Sequence, residues 1–352
     1  MQHKALLLSD KLSAGGAWAV QPVPSPQPGP GCVGIAVHAA ALNPLDTRMA
    51  GIGLFVKSWP AVFGFDAAGV VTKLGEGVTG FAVGDRVLFE GTFVDPPVAT
   101  YQQYVAMRAE FVAKVPDNLT LDEAATIPLT LATAALGLYD ARQAPFGGLA
   151  LTPPWAPGGR SAYAGEPIVI TAGASGVGQH AIQLAKLSGF APIITTASPA
   201  NAAYVESLGA THVLDRHAPL SSLAATVASL TDKPVKYAYD AVGTAETQRA
   251  LYDLVVPGGG VALVKESVLD KAEVAAGDKH VARVFADVQM GPQQAIGKAL
   301  YAALTGMLAA GEIKPTKLDV LPNGLEGIPE GLERLGKGVS ALKLVAHPQE
   351  TA

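Results

Sequence analysis

The segment PIVITAGASGVGQHAIQLAKLSG, residues 167–189, constrains the fold of this chain more than any other. An apolar strand, Ile168 to Thr171, runs into the turn Ala172–Gly178, and the turn runs into an apolar-periodic stretch closed by Gly189. This order of strand, glycine turn and helix is what a pyrophosphate site requires. Gly173 is expected to allow the tight turn. Gly176, with its small neighbours Ala174 and Ser175, lets backbone amides approach the anion, and Gly178 allows the helix to pack closely on the strand. The helix N-terminus then offers unpaired N–H groups and the positive end of its dipole. Ser175 stands at the middle position of the usual Gly-x-Gly-x-x-Gly, still permits close approach and can donate a further hydrogen bond.

The residues that follow repeat the same unit. Strand candidates lie at 168–172, 193–197, 212–215, 237–242 and 261–264, with helices near 177–188, 200–208, 220–230 and 244–254. Repeated units of this length predict an α/β domain built on a parallel, doubly wound sheet. In such a sheet the cofactor is chosen at the end of the second strand, about 20 residues after the glycine turn, where a carboxylate would favour NAD. Here that stretch reads IITTASPANAAY, without a carboxylate between Ile193 and Tyr204. Ser198, Asn201 and Tyr204 can donate hydrogen bonds to a 2′-phosphate, which points to NADP(H). No arginine or lysine in the stretch adds charge, and Ser198–Pro199 would also serve as an ordinary helix start.

The first third reads differently. Residues 31–42 and 61–89 are short apolar or alternating runs punctuated by glycine turns, which predicts a compact antiparallel β-domain. His38 falls in one of these strands and reads as a core or edge histidine satisfied by its neighbours. Asp122–Glu123 can open a helix, and a helical pattern follows Pro128. Residues 142–166 are rich in Pro, Gly and Ala and read as a long loop, either a surface excursion or a rim over a substrate mouth or docking site. A helix near 293–310 and a strand at 342–346 close the chain.

With 352 residues the chain is long enough for two domains, and 49% hydrophobic against 16% charged residues argues against disorder. A net charge of −5 without any basic cluster speaks against nucleic acid or an anionic membrane as partner. The opening MQHKALLLSD is too short in apolar residues for a signal segment, and no run approaches the ~18 residues of a spanning helix. A soluble, cytoplasmic protein is the expectation. Cys32 is the only cysteine, which rules out an internal disulfide or a multi-cysteine zinc site, and without a basic neighbour it reads as an incidental thiol.

The segments ALNPLDTRM (41–49), GFDAAGVV (64–71), GDRV (84–87), LATAALGLY (131–139), AGASGVG (172–178) and GVSALKLV (338–345) make the chain similar to the medium-chain dehydrogenase/reductase superfamily over nearly its whole length. The resemblance implies a Rossmann NADP(H)-binding domain at 127–290. It also implies a mostly β, GroES-like catalytic domain assembled from 1–126 and 291–352. The zinc alcohol dehydrogenases of that superfamily carry a cysteine ligand where this chain has NPLD and Gly-His-Glu where it has Gly64-Phe65-Asp66. Their structural zinc lobe falls where it has residues 89–104. No Cys/His set remains for a metal with an open position.

The chain looks more like quinone oxidoreductases and fungal enoyl reductases, some of which serve polyketide synthases in trans. By that resemblance Asn43 and Asp46 line the nicotinamide side, and Thr133 contacts the carboxamide. Gly173, Ala174, Ser175, Gly176 and Val177 hold the pyrophosphate, Ser198, Asn201 and Tyr204 the 2′-phosphate, and Val242 and Lys343 complete the cofactor contacts. A plain turn-ordering role for Asp46 stays open. Several enoyl and quinone reductases place a tyrosine eleven residues after the motif's asparagine; here Leu54, followed by Phe55, leaves the proton donor unassigned.

The expected reaction is NADPH-dependent reduction of an enone or enoyl thioester, metal-free, on a small hydrophobic substrate that a carrier protein can present. A quinone oxidoreductase and a non-catalytic NADPH-binding scaffold stay open, as does homodimerisation.

Overall fold

The run Cys32–Ala41, apolar at almost every position, forms the central strand of a β-sheet, since a strand covered on both faces has no need to alternate. The computed structural model describes residues 1–92 and 98–352, in two units. The first comprises Met1–Leu129, Asp287–Gly311 and Pro315–Ala352; the second comprises Thr130–Ala286 and Glu312–Lys314. Helix Pro128–Tyr139 opens on the last residues of the first unit and otherwise belongs to the second.

In the first unit, among the described residues, one sheet runs Lys317–Val320, Leu342–Ala346, Cys32–Ala41, Asp66–Leu74, Arg86–Glu90, Val112–Lys114, with Tyr104–Arg108 also on Cys32–Ala41. Its pairs are antiparallel except Lys317–Val320 with Leu342–Ala346. A smaller sheet pairs Gln2–Leu8 with Trp18–Pro24 and Ala61–Val62. The core between these strands holds Leu6, Ile35, Phe63, Leu88, Phe89 and Met107.

His38 departs from expectation. The register of Cys32–Ala41 shifts between Val37 and Ala39, and the extra residue of this bulge turns its imidazole outward, so His38 is exposed. Cys32, the first residue of the strand, is a half-buried free thiol. Thr120 caps helix Leu121–Ala125 and exchanges hydrogen bonds with Glu123, the reciprocal arrangement that the Asp122–Glu123 start signal implied.

The second unit is a parallel sheet in the order His212–Asp215, Ile193–Ala197, Ile168–Thr171, Tyr237–Asp240, Gly260–Leu263, His280–Arg283. The sequence order of these strands is 3-2-1-4-5-6, so the crossovers reverse direction between Ile168–Thr171 and Tyr237–Asp240. The edge strand His280–Arg283 and helix Lys271–Ala276 before it were not anticipated, both being short and poor in periodicity.

Residues 142–166 form no helix or strand. They nevertheless pack within this unit. Trp155 sets its ring edge-on against Tyr139 at 5.2 Å, Tyr163 stacks on Phe190 at 4.8 Å, and Arg160 holds Glu312 through two hydrogen bonds of 2.7 Å. Among the described residues no helix is long and apolar enough to cross a membrane.

Candidate functional site

In the second unit the strand Ile168–Thr171 is wholly buried and delivers the chain to the turn. The left-handed residue there is Ala172, at φ 50°, and not Gly173. Gly173 is needed for space: a Cβ would lie 2.2 Å from Thr195 Oγ1, on the adjacent strand. The turn is tied to that strand by Ala172 N–H donating to Thr196 Oγ1 at 2.9 Å and Gly173 N–H to Thr196 O at 2.9 Å. At Gly178 a Cβ would come 2.2 Å from Ala172 O, which is the close helix–strand approach expected of it. At Gly176 it would meet Thr130 Cγ2 at 2.9 Å.

Ser175 is the N-cap of helix Gly176–Leu187; its Oγ accepts from Gly178 N–H at 3.1 Å. Ala174 O accepts from Gln179 Nε2 at 2.9 Å, and Gln179 Oε1 in turn accepts from Tyr204 Oη at 2.9 Å. Tyr204 therefore stands between the helix that follows Ser198 and the glycine turn. Ser198 and Asn201 are half-buried beside it. Tyr239 Oη donates to the Thr133 carbonyl at 2.8 Å. The amides of Val242 and Gly243 both donate to Asp240 Oδ1 at 3.0 Å, and Thr171 Oγ1 donates to the same oxygen at 2.7 Å. Asp240, buried and fully bonded, fixes the loop that carries Val242; sequence reading did not single it out. The glycine turn and the Val242 loop leave the ends of the two strands at the reversal point, where ligands bind in open parallel sheets.

The first unit holds Asn43, Asp46 and Lys343, and brings them together with Asp66 and Tyr101, all buried. Asn43 precedes helix Pro44–Ile52, and the carboxylate of Asp46 reaches back to accept Asn43 N–H at 2.8 Å. The same Oδ2 accepts from Tyr101 Oη at 2.8 Å. Asn43 Nδ2 donates to Asp66 Oδ2 at 2.8 Å, and Lys343 Nζ donates to Asn43 Oδ1 at 3.0 Å and forms an ion pair with Asp66. Leu129 N–H closes the other Asp66 oxygen at 2.6 Å.

Burial pushes the Asp46 carboxyl up to about 7, against the opposing hydrogen bonds from Tyr101 and Asn43. Burial likewise raises Tyr101 well above the usual phenol range, with Asp46 adding to it. Glu90, paired in register with Asp66, is raised by burial and by the neighbouring Asp287 and Asp66. Lys343 therefore spends two of its donors inside this cluster, and Asp46 orders the start of a helix. Tyr101, remote in sequence and without a motif, was missed. Leu54 is half-buried and Phe55 exposed, in a left-handed conformation at φ 63°.

Among the described residues no group of three or more His, Cys, Asp or Glu side chains is placed to hold a metal. Phe65, buried, stands where a zinc-ligating histidine would be, and the cluster around Asp66 is neutralised by Lys343. The donor set does not fit zinc. Residues 93–97 of the segment compared above with the zinc lobe lie outside the described residues.

Comparison with known proteins agrees with this division. A family described as "Alcohol dehydrogenase GroES-like domain" matches residues 29–117, and one described as "Zinc-binding dehydrogenase" matches residues 176–281. A trans-enoyl reductase from a Penicillium species is 31% identical over 325 residues, covering 87% of this chain and 88% of its own. The chain belongs to the medium-chain dehydrogenase/reductase superfamily. Within that superfamily a second trans-enoyl reductase, from Aspergillus japonicus, is 38% identical over 64% of this chain and 63% of its own. A quinone oxidoreductase structure from Pseudomonas syringae pv. Tomato superposes with a TM-score of 0.76 at 25% identity, covering 97% of this chain and 99% of its own. This medium-chain dehydrogenase/reductase is thus an oxidoreductase of reductase type with a Rossmann-like unit and a GroES-like unit. Members of the superfamily typically use a nicotinamide cofactor.

Proposed function

We propose that the protein is an NADPH-dependent reductase that saturates the double bond of an enone or enoyl thioester without a metal. The observation that carries this reading is the closed cluster of Asn43, Asp46, Asp66, Tyr101 and Lys343. Where a metal would need several open donors, the chain supplies its own cation to Asp66 and bonds both oxygens of Asp66 and Oδ2 of Asp46 to neighbours, leaving Asp46 Oδ1 as the one carboxylate oxygen of the five residues without a partner. Such a site suits a substrate whose conjugation already spreads the developing negative charge, and not a simple alcohol, which needs a base or a metal-bound alkoxide.

The residues that would hold the dinucleotide fit it. Gly173, Ala174, Ser175, Gly176 and Val177 offer the pyrophosphate a turn of mostly small residues at a helix N-terminus, and Ser198, Asn201 and Tyr204 offer donors in a stretch without a carboxylate. By the resemblance, Thr133 is assigned to the carboxamide, Val242 and Lys343 to further cofactor contacts, and Asn43 and Asp46 to the nicotinamide side. When bound, NADPH supplies the hydride that the β-carbon receives. The chain's part is to position the acceptor and to give its carbonyl oxygen a hydrogen-bond donor, so orientation supplies most of the rate. The exposed Ile52 and Phe55, 61% and 42% accessible, support a hydrophobic acceptor, including one presented on a carrier protein. The names of the two fungal relatives favour the enoyl substrate; the likeness to a quinone oxidoreductase favours a quinone as the second reading.

The test is a screen of NADPH and NADH oxidation over enones, enoyl thioesters, quinones and aldehydes, with elemental analysis of the same preparation. Activity on a conjugated acceptor with NADPH preferred and no stoichiometric zinc is expected. Activity confined to aldehydes, or lost with a chelated zinc, contradicts the proposal.

A further inference from the structure

The stretch after Ile193 contains no cation for a 2′-phosphate, yet the sheet brings one to its end. Strands Ile193–Ala197 and His212–Asp215 run parallel, with Ala197 opposite Asp215 as the last ladder pair. Ser198 and Arg216 are the first residues beyond the two strands, and Arg216 N–H donates to Ala197 O, next to Ser198, at 3.0 Å. Both residues therefore leave the sheet at its carboxyl end, where ligands bind in open parallel sheets. Arg216 is exposed, and among the described residues its guanidinium has no ion pair or hydrogen bond. The neighbouring carboxylate, Asp215, turns back to accept His217 N–H at 3.0 Å.

We propose that Arg216 is the charged specificity determinant of this chain, pairing with the phosphate monoester on the adenosine ribose beside Ser198. The inference rests on the NADPH reading above and deepens it: the hydroxyl of Ser198 supplies neutral recognition, Arg216 supplies charge. A guanidinium holds a phosphate through paired, charge-assisted hydrogen bonds that a ribose hydroxyl cannot match, so the residue discriminates instead of merely adding affinity.

The experiment needs no turnover. Binding of 2′,5′-ADP and of 5′-AMP to the full chain is measured by calorimetry for the wild type, Arg216→Ala and Arg216→Lys, at low and at high salt, with thermal melts as a control. The wild type is expected to prefer 2′,5′-ADP. Arg216→Ala is expected to weaken 2′,5′-ADP by about tenfold, the scale of a charge-assisted contact, while 5′-AMP is unchanged. Arg216→Lys should recover part of the loss, and the alanine variant should lose much of the salt dependence. If the wild type discriminates and Arg216→Ala does so equally well, the assignment of Arg216 falls while the NADPH reading stands. Equal loss of both ligands in the alanine variant also overturns it. If the wild type does not discriminate, the NADPH reading fails and this inference with it.

Discussion

Lys343 and Asn43 are 300 positions apart in the chain and 3.0 Å apart in space, Nζ to Oδ1, with Asp66 as the third member of the contact. This arrangement joins the terminal strand Leu342–Ala346 to the start of helix Pro44–Ile52 and to the strand Asp66–Leu74 through buried charge. Replacing such a pair by apolar groups can be neutral, but removing one partner leaves the other charge buried and unpaired.

Lys343→Met is therefore expected to destabilise the protein by about 3–5 kcal/mol in denaturant unfolding, and Lys343→Met/Asp66→Asn by less than the sum of the single changes. A loss below about 1 kcal/mol for Lys343→Met would show that the pair is not the organising contact.

Asp46 makes a pH prediction. Its folded value, about 7, lies above the ordinary carboxylate value, so the folded state binds the proton more tightly than the unfolded chain. The stability it contributes is complete below the unfolded value, near pH 4, and is lost as pH rises towards 7. Asp46→Asn removes this dependence while its amide oxygen can still accept from Asn43 N–H and Tyr101 Oη. Between pH 5 and pH 8 the variant should gain on the order of 2 kcal/mol relative to wild type. Parallel stability profiles over that range would contradict the assignment.

How far these features were legible differs between the units. In the second unit the apolar strands announce themselves locally. Ile193–Ala197 and His212–Asp215 were read with their observed bounds, because β-branched runs between helical patterns have few alternatives. Gly173 was read as allowing the tight turn; the structure adds that Ala172 takes the left-handed conformation and that Gly173 is needed for space against Thr195, a contact on another strand that composition does not show. Edge strand His280–Arg283 was not read. In the first unit the NPLD segment marked Asn43 and Asp46, but nothing near them in sequence could show that Tyr101 and Lys343 bond to them. Arg216 eluded a linear reading for the same reason: its neighbour Ala197 lies on another strand.

The glycine turn separates packing from flexibility. Gly178→Ala puts a Cβ 2.2 Å from a backbone carbonyl and is expected to cost about 1–3 kcal/mol and to weaken dinucleotide binding. Gly306→Ala, on an exposed turn of helix Gln294–Ala309 with nothing within 4 Å of its Cβ, should stabilise by about 0.5–1 kcal/mol and leave binding unchanged. Thermal melts and dinucleotide titrations of both variants check the contrast, which equal effects would refute.

The reaction itself is tested most directly by where the hydride lands. NADPH deuterated at the transferred position is incubated with the protein and an α,β-unsaturated thioester or enone, and the product is analysed by mass spectrometry and NMR. Metal-free conjugate reduction predicts a saturated carbonyl compound carrying one deuterium at the β-carbon. An allylic alcohol with the double bond intact and deuterium on the former carbonyl carbon would contradict the account and make the protein a carbonyl reductase.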